Sequence, residues 1–273
     1  MTSDAPGVTV VVATRDRHEA LADSVPRHEA PTIVVDNASR EPVPGAIRLE
    51  RNRGGAGRNV GVEAARTPYV ALTDDDAWWA PGALARAVAL LDAHPRLALV
   101  QPRVLVGADE RLDPTCAEMA RSPLPSASGQ PGHALLGFIA CAVVVRRDAF
   151  LAVGGFSERL AVGGEEALAA GDLVAAGWQL SYVPEIVAHH HPPASSRDRP
   201  ERRAAVLRNA LWHTWLRRPA GVALWRTADA LLRAPREPAT ARGVGSAVAG
   251  LPWVLRARRV DPPRVEAMRR LLD

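Results

Sequence analysis

Three consecutive aspartates close the mostly apolar run Tyr69-Val70-Ala71-Leu72-Thr73, and Asp74-Asp75-Asp76 leads at once into Ala77-Trp78-Trp79 and a Pro-Gly step. No other stretch restricts the chain so strongly. A continuous apolar segment is the mark of a strand buried on both faces in a parallel sheet, since a half-exposed strand alternates. Three carboxylates at the end of such a strand repel one another unless a cation or paired arginines neutralise them. In open α/β sheets the carboxyl ends of the strands are also where ligands bind. Asp74 and Asp76, two apart, can share one hard divalent ion, because Mg²⁺ takes one or two carboxylates and completes its shell with phosphate oxygens and water. The competing reading is an acidic turn capping the next helix, for which Asp is a common residue. The buried strand ahead of the triplet favours the ligand site.

The flanking segments repeat this design. Val8-Thr9-Val10-Val11-Val12-Ala13 reads as a first buried strand and runs into Thr14-Arg15-Asp16-Arg17. Thr32-Ile33-Val34-Val35 is a second, closing on Asp36-Asn37-Ala38-Ser39, and Ile47-Arg48-Leu49 a weaker third. Strands alternating with helical patterns predict a parallel sheet. Next comes Asn52-Arg53-Gly54-Gly55-Ala56-Gly57-Arg58-Asn59-Val60-Gly61. Glycines ahead of a helix let backbone approach a ligand closely, and the helix start favours an anion. Alone this is weak evidence, but Arg58 adds a two-pronged phosphate donor.

Further on, the patterns predict a helix over 81–93, a strand over 97–101, a mobile Pro-, Ser- and Gly-rich loop or insertion over 107–131, and a buried strand over 138–145. Glu165-Glu166 opens an alanine-rich helix closed by Gly177, where acids can be mere complements of the helix dipole. Two short strands, 179–184 and 186–188, lead to His189-His190-His191. The triple histidine suits a metal ligand, an imidazole base or a polar strand end; beside an acidic metal candidate, the ligand is favoured.

Composition narrows the chemistry. The net charge is +4, and every basic residue behind it other than histidine is arginine. Lysine phosphate loops, Schiff bases and lysine general bases are therefore excluded, which leaves arginine forks, backbone amides or a metal for phosphate. Cys116 and Cys141 suggest neither a disulfide framework nor a zinc site. No apolar stretch is long enough to span a bilayer and the N-terminus lacks the order of a signal peptide, so cytoplasmic residence is the default. From Arg197 the chain turns to arginine, alanine, leucine and tryptophan at helical spacing. Arg197, Arg199, Arg202, Arg203 and Arg208 crowd one segment, and Trp212, Trp215 and Trp225 follow. Tryptophans packed on the preceding domain are the bland and favoured reading; the sharper one is peripheral contact with anionic lipid at the inner face of the membrane. No recognised nucleic-acid module accompanies the charge, so no nucleic acid partner is expected.

Together the motifs resemble those of family-2 glycosyltransferases with the glycosyltransferase A fold, over residues 8–191. The likeness rests on the stretches quoted above together with Val153-Gly154-Gly155-Phe156, Gly164-Glu165-Glu166 and Tyr182-Val183-Pro184-Glu185. No single one is decisive; their order and spacing are. The resemblance implies an α/β fold, a Rossmann-like, mostly parallel sheet flanked by helices, with a helical C-terminal appendage. It implies a catalytic domain over 1–195, its nucleotide-binding half about 1–103 and its acceptor half about 104–195, followed by 196–273. It places Thr14, Arg15, Asp16, Asp36 and Asn37 about the nucleobase and ribose, with Arg58 nearby. Asp74 and Asp75 would lie against the sugar nucleotide, and Asp76 would ligate Mn²⁺ or Mg²⁺ together with Asp74 and one of His189, His190 or His191. Glu166 falls where inverting members carry the aspartate of a Glu-Asp pair, the general base. A second family acid is replaced by Leu168, which leaves Asp172 as a substitute to be tested.

The resulting expectation is a metal-dependent, inverting transfer of a sugar from a nucleoside-diphosphate sugar to a hydroxyl-bearing acceptor: a glycan, a lipid-linked molecule or a small metabolite. Two rivals stand beside it. A sugar-nucleotide-forming nucleotidyltransferase would place its glycine-rich loop straight after the first strand and use lysine; this chain does neither. A non-catalytic sugar-nucleotide-binding protein of the same fold would not need the acidic strand end or Glu166.

Overall fold

The computed structural model describes residues 7–160, 163–193 and 200–273. The chain runs β1 (Val8–Thr14), α1 (His18–Ser24), β2 (Thr32–Asp36), β3 (Ile47–Arg48), α2 (Gly57–Ala64), β4 (Tyr69–Asp74), β5 (Ala77–Trp79), α3 (Ala83–Ala93) and β6 (Leu97–Val106). It continues through β7 (Arg111–Leu112), α4 (Pro114–Met119), β8 (His133–Ala134), β9 (Ala142–Arg146), α5 (Arg147–Ala152), α6 (Glu165–Ala175) and β10 (Gln179–His190). The main sheet has the order β3-β2-β1-β4-β9-β6-β10-β5. β1 lies parallel between β2 and β4, and β10 lies parallel to β6, while β9 runs antiparallel between β4 and β6.

The apolar runs explain this order. Val8, Val10, Val11 and Val12 of β1 and Val70, Ala71 and Leu72 of β4 are fully buried, as strands covered on both faces must be. Their parallel register sets Thr14 opposite Asp36 and Ala13 opposite Asp74, so the polar strand ends share one edge. α2 packs against β1 and β2 through Gly61, where a Cβ would meet Val11 Cγ1 at 2.4 Å. Only glycine lets the helix carrying Arg58 sit this close.

Several element boundaries differ from the sequence expectation. The stretch 107–131 contains β7 and α4, and α4 is capped by Asp113 Oδ1, which accepts from Thr115 N at 2.8 Å. α3 begins at Ala83 because Gly82 ahead of it is left-handed, φ 70°. The two strands expected over 179–188 are one, β10, whose register against β6 shifts between Val183 and Val187. That irregularity takes up Pro184, which has no N–H for a ladder.

The C-terminal region is helical: α7 (Pro200–Arg217), α8 (Ala220–Arg233), α9 (Pro238–Ala249), α10 (Leu251–Ala257) and α11 (Pro263–Leu272). It forms its own apolar cluster around Leu211, Trp212, Trp215, Val244, Ala247 and Val254, and this cluster also takes in Leu160 and Leu168 from the preceding chain. Trp212 and Trp215 are buried and each ring N–H finds an acceptor, Ala247 O and Thr227 Oγ1. Trp225 is exposed. Arg197, Arg199 and the expected boundary at 195/196 lie outside the described residues. Among the described residues no helix is long and apolar enough to cross a membrane.

Candidate active site at the carboxyl edge of the sheet

The three aspartates diverge to three sets of partners. Asp75 turns inward, 3% exposed, where its carboxylate accepts the Thr14 hydroxyl at 2.7 Å and pairs with Arg17 at 2.8 Å. Ser24 of α1 holds the Asp75 carbonyl at 2.8 Å. Asp76 pairs with the other prong of Arg17 at 2.7 Å, and its Oδ1 lies 3.2 Å from His190 Nε2. Asp74 pairs with Arg58. The charge repulsion inherent in the triplet is thus relieved by two arginines, one from the β1–α1 turn and one from α2.

These settings shift the acids in opposite directions. Burial pushes Asp75 up to about 6, against the pull of Thr14 and Arg17. Burial also works against ionisation of Asp76, but His190 and Arg17 outweigh it and bring its pKa down to about 2. Arg58 is deeply placed, yet Asp74 and the two glutamates hold its charge.

His190 reaches this point through the sheet. The end of β10 pairs antiparallel with β5, setting His190 opposite Ala77, and His191 N donates to Asp76 O at 2.8 Å. Successive strand residues face opposite sides. His190 therefore points into the aspartates, whereas His189 stacks on Trp78 and directs its Nδ1 to Glu110, 3.0 Å away. Asp74, Asp76 and His190 offer one ligand atom each within 4.8 Å of one another. Asp76 Oδ1 is buried and takes no properly directed hydrogen bond. Two carboxylates and an imidazole, with a buried oxygen left over, fit a hard divalent cation such as Mn²⁺ or Mg²⁺.

Glu165 and Glu166 stand at the start of α6 but face different ground. Glu165 is 8% exposed and leans on the glycine-rich turn: a Cβ on Gly55 would lie 2.8 Å from its Oε1, and its Oε2 has no partner. Glu166 lies in the field of Arg58 and Asp74, with the backbone at Ala140 favouring its ionised form. Burial raises both carboxyls, more than the α6 amides lower them. The helix start alone predicts an easily ionised Glu166; desolvation reverses that.

The remaining residues singled out from sequence have chiefly local partners. Asp36 is wholly buried, and Ser39 N, Val43 N and Arg48 occupy its carboxylate. Asn37 staples the glycine-rich turn to β2, accepting from Arg53 N at 2.8 Å and donating to Gly54 O at 2.9 Å. Asp16 adopts φ 56° and accepts from Arg40 N at 2.7 Å; Arg15 is about half exposed beside it. Asp172 lies among arginines of the helical region, Arg217 and Arg259. Leu168, at the position of the missing acid, belongs to the apolar cluster of that region. Sequence reasoning passed over Arg17. Its signal was the uncompensated charge of the triplet, which requires a nearby cation.

Comparisons with known proteins agree with this fold. At 32% identity over 160 residues, the chain matches a probable glucomannan 4-beta-mannosyltransferase 1 of Arabidopsis thaliana, a match covering 54% of this chain and 29% of that protein. The chain thus spans under a third of that relative's length. Among solved structures, a mannosyltransferase, PcManGT from Pyrobaculum calidifontis in complex with GDP-Man and Mn²⁺, is similar with TM-score 0.56 and 19% identity, over 98% of this chain and 79% of that one. TarS 1-349 of S. aureus in complex with UDP-GlcNAc is similar with TM-score 0.56 and 14% identity, over 96% and 83%. At these identities the likeness shows the glycosyltransferase A-type fold. The model of the family described as Glycosyl transferase family 2 matches residues 9–154, more than half of the chain, and with the acidic strand ends inside that span, this chain belongs to glycosyl transferase family 2.

Proposed function

We propose that the protein transfers a sugar from a nucleoside-diphosphate sugar to an acceptor hydroxyl, with inversion, using Mn²⁺ or Mg²⁺ held by Asp74, Asp76 and His190. The observation that carries this reading is the convergence of those three ligand atoms beside Arg58 and Glu166 at the sheet's carboxyl edge. A divalent cation bound there supplies positive charge against the leaving diphosphate. Arg58 sits by Asp74 and adds a fork donor for phosphate oxygens. The turn bearing Arg15 and Asp16 and the Asn37-stapled glycine segment frame the nucleoside. Glu166 removes the acceptor's proton as the hydroxyl attacks. Its raised pKa makes it a better proton acceptor than an ordinary carboxylate. One base and no covalent nucleophile give inversion at the anomeric carbon. Cytoplasmic residence fits a soluble sugar-nucleotide donor.

Because the plant relative and one structural neighbour are named mannosyltransferases, GDP-mannose heads the donor panel, with UDP-sugars beside it. The donor is identified by thermal shift with and without Mn²⁺, since a ligand that binds only the folded chain raises its stability by mass action. With that donor, Glu166→Gln should keep donor and metal affinity while transfer falls roughly 10²–10⁴-fold, the usual worth of general-base assistance. Glu165→Gln should cost far less. Loss of donor binding in Glu166→Gln, or full transfer in it, refutes the assignment.

A further inference from the structure

The appended helices bury Leu211, Trp212, Trp215 and Leu216, whereas α8 turns its largest apolar side chains outward. Its inward side carries Ala223, Arg226, Thr227 and Ala230, with Arg226 paired to Asp273 and Thr227 accepting the Trp215 N–H. Its outward side, at spacings of three and four residues, is Leu224, Trp225, Ala228, Leu231 and Leu232. The four large side chains there are 72%, 61%, 53% and 73% exposed. Three and four residue steps place them on one face of the helix, and the charged residues of α8 all fall outside it. A contiguous exposed stripe of leucine and tryptophan marks an interaction surface, unlike apolar residues scattered singly.

Charge identifies what the stripe meets. Residues 200–273 contain 15 Arg and 6 Asp or Glu, while the rest of the chain has more acids than bases. Asp229, Asp261, Glu266 and Asp273 are each taken by an arginine. Arg236, Arg242 and Arg256 are exposed, and none of them joins an ion pair among the described residues. A second copy set face to face on the stripe would bring two such cationic regions together with far fewer acids than arginines to meet them. An anionic bilayer supplies both halves of the match: headgroup phosphates for the arginines and an apolar layer beneath for leucine and tryptophan. Tryptophan is moreover suited to that boundary, being apolar in body and polar at one edge.

We propose that α8 lies in the surface of an anionic phospholipid bilayer, with its Leu224–Leu232 stripe inserted and exposed arginines of residues 200–273 on the phosphates. The proposal is independent of the assigned reaction. It is tested by co-sedimentation of the full chain with phosphatidylcholine vesicles, with and without about 30% phosphatidylglycerol, at low and moderate salt. Wild type should bind the anionic vesicles, weaken with salt and leave the neutral ones. Leu232→Glu and Trp225→Glu should each lose about tenfold in partitioning, with unchanged thermal unfolding because both sites are exposed. Absence of binding at low salt overturns the proposal, as does equal binding to neutral vesicles or equal binding by the variants. A lipid-free dimer in light scattering that Leu232→Glu dissociates would assign the stripe to self-association and overturn it too.

Discussion

Asp172 offers the sharpest separation between a structural acid and a catalytic one. It is the carboxylate that the family comparison left available to replace the acid missing at Leu168. In the structure it accepts from Arg217 Nε at 2.7 Å and Nη2 at 2.8 Å, and from Arg259 Nη2 at 3.0 Å. Arg259 is 68% exposed and adds little, as surface pairs do. Arg217 is different: its side chain is 11% exposed and its Nη1 already lacks a partner. Asp172→Ala would strand that guanidinium among apolar and cationic neighbours. Breaking one side of a buried pair costs about 3–5 kcal/mol. At roughly 2–4 °C per kcal/mol for a chain near this size, Tm should fall by about 10 °C. Asp172→Asn, which keeps one acceptor oxygen, should fall by less. Calorimetry or circular dichroism measures both, and transfer assayed well below the lowered Tm should remain near wild type. A Tm within about 2 °C of wild type, combined with lost transfer, would refute the structural role and return Asp172 to the chemistry.

Two further outcomes follow from the site. Arg17 shares its two prongs between Asp75 and Asp76, so it competes with a divalent ion for the same carboxylates. Arg17→Met should tighten Mn²⁺ affinity several-fold, on the order of 1 kcal/mol, while lowering the metal-free Tm, as titration calorimetry would record; weakened Mn²⁺ binding would mean that Arg17 shapes the ligand group instead. Glu165 supplies a pH signature. Burial, reinforced by Glu166, raises its pKa from 4.5 to about 7, so the folded chain keeps a proton that the unfolded chain has released. That contribution is fully present below about pH 4.5 and is lost as pH rises through 7. Tm should decline across this window in wild type, and Glu165→Gln should flatten the decline; an unchanged slope in the variant would place the proton elsewhere.

The sequence by itself determined the sheet and its ligand edge. Apolar runs such as Val10–Ala13 and Tyr69–Leu72 fit strands buried on both faces, and the polar residues that terminate them must then gather where parallel strands end. The absence of lysine likewise decided that arginine neutralises the aspartates, as Arg17 and Arg58 do. What required the tertiary structure was every choice among equivalent neighbours. His189, His190 and His191 are indistinguishable in sequence, and the antiparallel register of β10 on β5 alone turns His190 inward. Glu165 and Glu166 differ by one position, and the packing of α6 sets one against Gly55 and the other near Arg58 and Asp74. Asp36 looks like a ligand residue in sequence but is occupied by its own loop, and Asp172 is claimed by arginines of a region that follows it in the chain by dozens of residues. The physical reason is the same throughout. Hydrophobic pattern is local and periodic, so it is written in consecutive residues, whereas the partner of a charged side chain depends on distance in space.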